Sequence, residues 1–184
     1  AVVGVIINDI IGKKKHKSII NSKVFKNLIS LGYKVEKFGE YRGLLGTKNN
    51  RDIRIYYDWN KLAKGFLSFG DLIVCIYYEP LIINGNDANV KVDTIDELRK
   101  VNNVNRDYTT KKFFGVDRVT LHINYHYWTK YSKIISEIET TIAQLNSLDL
   151  KPVNKLAEHN INFENQNFFL PHFELIWDYT KNEE

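Results

Sequence analysis

The run "LIVCIYY", residues 72–78, decides how this chain folds. It is apolar at every position, so neither side of it suits water. A strand of that kind belongs in the middle of a sheet. Pro80 ends it, because proline has no N–H to give to a ladder. Upstream, "IRIYY" (53–57) is β-branched and aromatic, and "YKVEKF" (33–38) alternates, both marks of strands. The stretch "GEYRGLLGTKNNRD" (39–52) between them is full of turn-forming residues. We expect an antiparallel meander of three or four strands in the first half, with 72–78 central.

Downstream, "RVTLHINYHYW" (118–128) alternates with period two. Val119, Leu121, Ile123, Tyr125 and Tyr127 fall on one side; Arg118, Thr120, His122, Asn124 and His126 fall on the other. That predicts a strand with one buried face. A closing strand is expected over "FFLPHFELIWDY" (168–179), where His172, Glu174 and Asp178 oppose Phe173, Leu175 and Trp177.

Helical spacing appears in three places. Ile20, Val24, Leu28 and Leu31 predict a helix over 18–31, closed by Gly32. Tyr131, Ile134 or Ile135, Ile138, Ile142, Leu145 and Leu148 predict a long amphipathic helix over 129–148. "TIDE" (94–97) has capping-box form, with Thr94 as N-cap of a short helix. "VVGVII" (2–7) fits either a strand or a helix start. "NGND" (84–87) reads as a turn, and the polar, basic stretch 102–117 as a mobile loop. The order of elements predicts an α+β fold: an antiparallel or mixed sheet with one long and two or more short helices on one face.

The chain has 184 residues, enough for one domain spanning 1–184 and short for two. Apolar residues make up 43% and charged residues 26%, as in an ordinary globular protein. Aromatic residues reach 13%, which needs a sheet or a large core to hide them. The single cysteine, Cys75, lies inside the apolar run and reads as a buried structural thiol. No apolar run reaches the roughly 18 residues of a membrane span. A soluble, cytosolic chain with no membrane partner is expected.

The motifs of nucleotide, dinucleotide, zinc-protease and serine-hydrolase sites are all missing, so no cofactor is expected. His122 and His126 cannot share one zinc, because four strand residues span roughly 13 Å. No metal site is expected. Asp52, Asp58, Asp71 and Glu79 flank the strands, as turn acids commonly do.

One constellation carries possible chemistry. If the strands holding "HINY" (122–125) and "HFEL" (172–175) are neighbours, His122 or His126 meets His172, with Glu174 nearby. Two histidines across a groove, one base and one acid, can split a phosphodiester. The pair loosely resembles the 2H phosphoesterases, whose sites carry His-hydrophobic-Thr/Ser-hydrophobic twice. Here Asn124 and Glu174 stand where that family has hydroxyls, and a carboxylate there repels phosphate.

Net charge is +4 and the pI about 9.0. The basic clusters are "GKKKHK" (12–17), with Lys13, Lys14, Lys15 and Lys17, and "TTKK" (109–112), with Lys111 and Lys112. Joined in one stripe, they would suit nucleic acid. Tyrosine and tryptophan stand beside charges in "IYYDWNK", "CIYYEP" and "YHYWTKY", a composition that suits interfaces and base stacking. The first expectation is a non-enzymatic protein that binds a macromolecule. A protein partner is favoured, as for an inhibitor, immunity or phage-and-defence accessory factor. The alternatives are a nucleic-acid- or nucleotide-acting phosphodiesterase using the histidines, and nucleic-acid binding without catalysis.

Overall fold

The computed structural model describes residues 2–38, 41–58, 70–81, 92–107, 111–126 and 128–153. Four α-helices and six strands run through them. They are α1 (Val2–Ser18), α2 (Lys23–Ser30), β1 (Lys34–Phe38), β2 (Tyr41–Lys48), β3 (Arg51–Asp58) and β4 (Asp71–Tyr77). Then follow α3 (Val92–Asp107), β5 (Lys111–Phe114), β6 (Arg118–Asn124) and α4 (Tyr131–Ser147). The strands form one sheet in the order β1-β2-β3-β4-β6-β5, antiparallel throughout. β4, which carries most of "LIVCIYY", lies inside the sheet with all seven residues buried. The first four strands are the expected meander, and the architecture is α+β.

The helices meet one face of the sheet to build the main core. Val24, Phe25 and Leu28 from α2, Ile95 and Leu98 from α3, and Ile134, Ile138, Ile142 and Leu145 from α4 pack with Ile53, Ile55, Leu72, Val74, Ile76, Val119 and Leu121. Each fully buried aliphatic side chain of this kind contributes about 2 kcal/mol. The stripe expected on α4 is the one buried.

Local chemistry sets the ends. Ser22 caps α2 by accepting a hydrogen bond from the Phe25 N–H, which satisfies one of the helix's orphan donors. Gly32, with φ +100°, ends α2 in a left-handed turn. The N–H groups of Gly32 and Tyr33 return to the Ile29 and Leu28 carbonyls, a Schellman closure. Asn49 and Asn50 both take positive φ, as the tight turn joining β2 to β3 requires.

Several expectations need correction. The helix placed over 18–31 is interrupted: α1 runs to Ser18, a 3₁₀ turn covers Ile19–Asn21, and α2 begins at Lys23. Leu31 is its C-cap and is exposed, not core. Thr94 is not an N-cap, because α3 already starts at Val92. The stretch 39–52 holds strand β2, whose glycines imitate a turn. The supposed loop 102–117 holds the end of α3, strand β5 and the start of the return into β6. Asn102 is the reason: its fully buried side chain bonds both backbone groups of Phe114 and fixes α3 to β5. The turn placed at 84–87 and the closing strand at 168–179 lie outside the described residues.

The other face of the sheet is wetter only at one end. Arg118 and Thr120 are buried, His122 is half-buried and Asn124 is exposed. A second apolar cluster, Tyr56, Ile73, Cys75 and Tyr77, occupies this face. Burial raises the Cys75 thiol pKa, and its sulfur lies 3.9 Å from the Thr120 hydroxyl, which fits a structural thiol.

The hydroxyl of Tyr77 accepts hydrogen bonds from Arg54 at 3.4 Å and Arg118 at 3.2 Å. Each guanidinium also forms a two-pronged pair with a carboxylate, Arg54 with Glu36 and Arg118 with Asp117; such paired bonds are among the stronger ones in proteins. Burial pushes Tyr77 up to about 12 despite the two cations. Burial, with a smaller push from Glu139, brings Tyr33 to about 12 as well. Both values exceed the ordinary 10.0, so the fold favours the neutral phenols. Their contribution is intact below pH 10 and is lost as pH rises from 10 towards 12, by the linkage of proton binding to folding. Alkaline titration followed by tyrosinate absorbance and urea midpoint checks this. Tyr77→Phe and Tyr33→Phe are expected to flatten the loss, and an unchanged alkaline slope in both variants would refute it.

Candidate functional site

β6 ends at Asn124, and the next side chain, Tyr125, is still buried. Its ring meets Tyr57 edge-on, with centroids 5.9 Å apart. The chain then turns sharply. The His126 N–H donates to the Thr129 hydroxyl at 2.9 Å, and the Thr129 N–H donates to the His126 carbonyl at 2.9 Å. Trp128 sits at the tip of this turn, 62% exposed. The His126 ring stacks on its indole at 4.8 Å, with planes 14° apart. α4 starts directly afterwards with Lys130 at its N-cap.

Opposite stands the junction of α1 and α2. His16 pins it to the sheet while fully buried. Its Nε2 accepts from the Arg42 N–H at 2.8 Å. Its Nδ1 therefore carries the ring proton of the neutral imidazole. That proton is donated to the Tyr57 carbonyl at 2.8 Å. The adjacent Lys15 is thereby laid over two rings, its ammonium 4.6 Å from the Tyr57 centroid and 5.4 Å from that of Tyr125. Both distances suit a cation held over an aromatic face. Partial burial lowers the Lys15 pKa.

Between the two walls lie two adjoining hollows that share Ser22, Tyr125 and Trp128. The larger, about 700 Å³, is lined by the first residues of α2 and of α4, including Lys23, Val24, Lys130 and Tyr131. The smaller, about 360 Å³, reaches Lys15, Ile19 and His126. Three lysines line this cleft, and no Asp or Glu does among the described residues. The first turns of α2 and α4 hold no acid either, so both helix dipoles present their positive ends there.

The residues singled out in the sequence are distributed as follows. Lys15 and His126 line the cleft. Lys13, Lys14 and Lys17 are exposed on the last turns of the same helix. Lys112 is half-buried on β5, three strands from β3, and donates to Gln144 of α4 at 2.8 Å. The stripe imagined between the two lysine clusters therefore does not run through Lys112. The side chain of Lys111 lies outside the described residues, as do His172 and Glu174.

His122 has neighbours unlike those of His126. Its ring meets Phe113 edge-on at 5.4 Å. Its Nδ1 lies 3.6 Å from the carboxylate of buried Asp71, within ion-pair range and beyond a hydrogen bond. Asp58 stands opposite Asp71 across β3 and β4. Asp52 accepts from the Thr47 hydroxyl at 3.0 Å, a structural role at the β2–β3 turn. Among the described residues no three His, Cys, Asp or Glu side chains are placed to hold a metal ion.

The tyrosines that suggested an interface are mostly core. Tyr56, Tyr57, Tyr77, Tyr78 and Tyr125 are all buried. Trp128 and Tyr131 are the large aromatics left exposed among the described residues, and both line the cleft. Among the described residues no helix is long and apolar enough to cross a membrane. No family model matches the chain, and no curated protein or solved structure is significantly similar to it.

Proposed function

We propose that this chain is a non-catalytic binding protein and that the Trp128 cleft is where it holds a macromolecular ligand. The observation that carries the reading is Trp128 itself. Its large ring is held 62% exposed at the tip of a doubly bonded turn. So placed, it adds nothing to the core. Aromatic residues of that kind, set in a concavity and ringed by polar groups, dominate binding surfaces. Ile11 is exposed on α1. It lies one turn before Lys15 on the same side of the helix.

The test compares three forms of the immobilised chain for what they retain from a cell lysate, protein and nucleic acid together. Trp128→Ala is expected to lose the retained ligand by at least about tenfold, with an unchanged circular dichroism spectrum. His122→Ala is expected to retain it, and no form is expected to turn over a phosphodiester substrate. Equal retention by Trp128→Ala, or hydrolysis abolished by His122→Ala, would refute the proposal.

A further inference from the structure

The geometry points to single-stranded nucleic acid as the occupant of the Trp128 cleft, with bases stacked against the Trp128–His126 pair and phosphates held by Lys15, Lys23 and Lys130. This rests on the reading of the cleft as a binding site and names its ligand class.

The occupant must be anionic. Lysines enter the cleft from three separate elements, α1, the start of α2 and the N-cap of α4, and no acid stands among the described lining residues. An acidic ligand meets charge complementarity from the three described lysines. The occupant must also offer flat rings. Trp128 and His126 are stacked nearly parallel at 4.8 Å and 14°, which builds a planar platform rather than a rounded apolar socket. Bases stack on such platforms with little regard to sequence. In a duplex the base faces are already stacked on each other, so a single strand fits and a double strand does not.

Two further features favour a strand over a lone nucleotide. The two hollows meet at Tyr125 and Trp128, and His126, which covers one face of the indole, lines the smaller. One base can therefore stack on the other indole face, and a neighbouring base can lie against the His126 side of the pair. Beyond the smaller hollow, α1 carries Lys14 beside Lys15, with Lys13 and Lys17 further round the helix, these three exposed. A backbone leaving the cleft past Lys15 meets this cationic surface. A lone nucleotide leaves it unused.

The test uses the intact chain and fluorescently labelled oligonucleotides of about 12 residues, within the usual span of single-strand sites. Anisotropy is read for single-stranded RNA, single-stranded DNA and a duplex of the same sequence, with poly-glutamate as an acidic peptide competitor. Single strands are expected to bind at least about tenfold more tightly than the duplex. Affinity is expected to fall with salt, each lysine contributing about 0.7 to the logarithmic slope. Trp128→Ala is expected to weaken binding about 10- to 100-fold, and Trp128→Phe to keep most of it. Lys23→Ala and Lys130→Ala are expected to reduce the salt slope by about 0.7 each.

Binding of the oligonucleotides that ignores salt, or that Trp128→Ala leaves intact, overturns the inference. Equal competition by poly-glutamate overturns it too, in favour of an acidic protein segment. A lysate protein retained through Trp128, with no oligonucleotide bound, overturns the nucleic-acid assignment and leaves the binding cleft standing. Retention of every ligand by Trp128→Ala overturns both.

Discussion

Gly46→Ala is expected to destabilise the chain by about 3 kcal/mol, the upper range for overpacking a core. A Cβ built on Gly46 would lie 2.4 Å from Cδ1, 2.6 Å from Cε1 and 2.8 Å from Cγ of Tyr33. Real Cβ contacts essentially never come so close, so the ring must move. It has little freedom to do so. Tyr33 is 6% exposed within the main core, and its backbone is fixed by the Schellman closure of α2 immediately before it. Gly46 lies in ordinary strand. The loss is therefore steric and not conformational; alanine is if anything the better strand residue. A double-mutant cycle separates these terms. Tyr33→Ala alone opens a cavity and is expected to cost about 3 kcal/mol. In the presence of Tyr33→Ala, the added methyl of Gly46→Ala is expected to cost less than about 1 kcal/mol. Urea unfolding with a common m-value measures all four forms. Additive costs would show that the ring and the glycine do not meet.

That pair also shows why β2 was hard to read. Gly43 and Gly46 look like turn residues in a sequence, yet Gly46 is there because a ring from another segment lies on it. The reason is tertiary and leaves no local mark. β4 was legible for the opposite reason. Its run of consecutive apolar side chains needs burial on both faces whatever the rest of the chain does. The α4 stripe was legible because period and burial agree at Ile134, Ile138, Ile142 and Leu145. α3 was underestimated because Asn102, Asn103 and Asn105 are poor helix residues on their own. The site was half legible. "YHYWTKY" drew attention to its aromatics and "GKKKHK" to its lysines. That Lys15 shares a hollow with Trp128, while Tyr57 and Tyr125 sink into the core, depends on His16 tying α1 to β3 and to the backbone of Arg42. The alternation of 118–126 signalled chemistry in His122 and His126 together, but the strand ends between them. One remains on the sheet face beside Asp71, and the other leaves with the turn to support Trp128.

Asn102 is the second position where a small change should have a large effect. Its amide nitrogen donates to the Phe114 carbonyl at 2.8 Å, and its amide oxygen accepts from the Phe114 N–H at 2.7 Å. β5 is the last strand of the sheet order. The side chain thus takes the place of a neighbouring strand at its outer side, where backbone groups would otherwise stand unpaired. Asn102→Ala removes both bonds and leaves a buried donor and a buried acceptor, with an expected loss of about 3 kcal/mol. Asn102→Asp is the more informative change. Its carboxylate still accepts from the Phe114 N–H, but its second oxygen now faces the Phe114 carbonyl. Asn102 has no exposure, and two acceptors in contact at such a site disfavour the charged form. The introduced carboxyl should therefore titrate above the ordinary aspartate range in the folded state. Stability relative to wild type is then highest below the ordinary aspartate value of about 3.9, where the protonated group donates to the carbonyl in the folded state and the unfolded chain is protonated too. It is lost as pH rises from there to the raised folded value. Urea midpoints of the three forms between about pH 3 and about pH 8 decide the matter. Asn102→Ala should lie below wild type by a pH-independent amount. Asn102→Asp should approach wild type at the acid end and fall to or below the alanine form at the alkaline end. A variant as stable at the alkaline end as at the acid end would mean that Asn102 does not bridge α3 to β5 through both backbone groups.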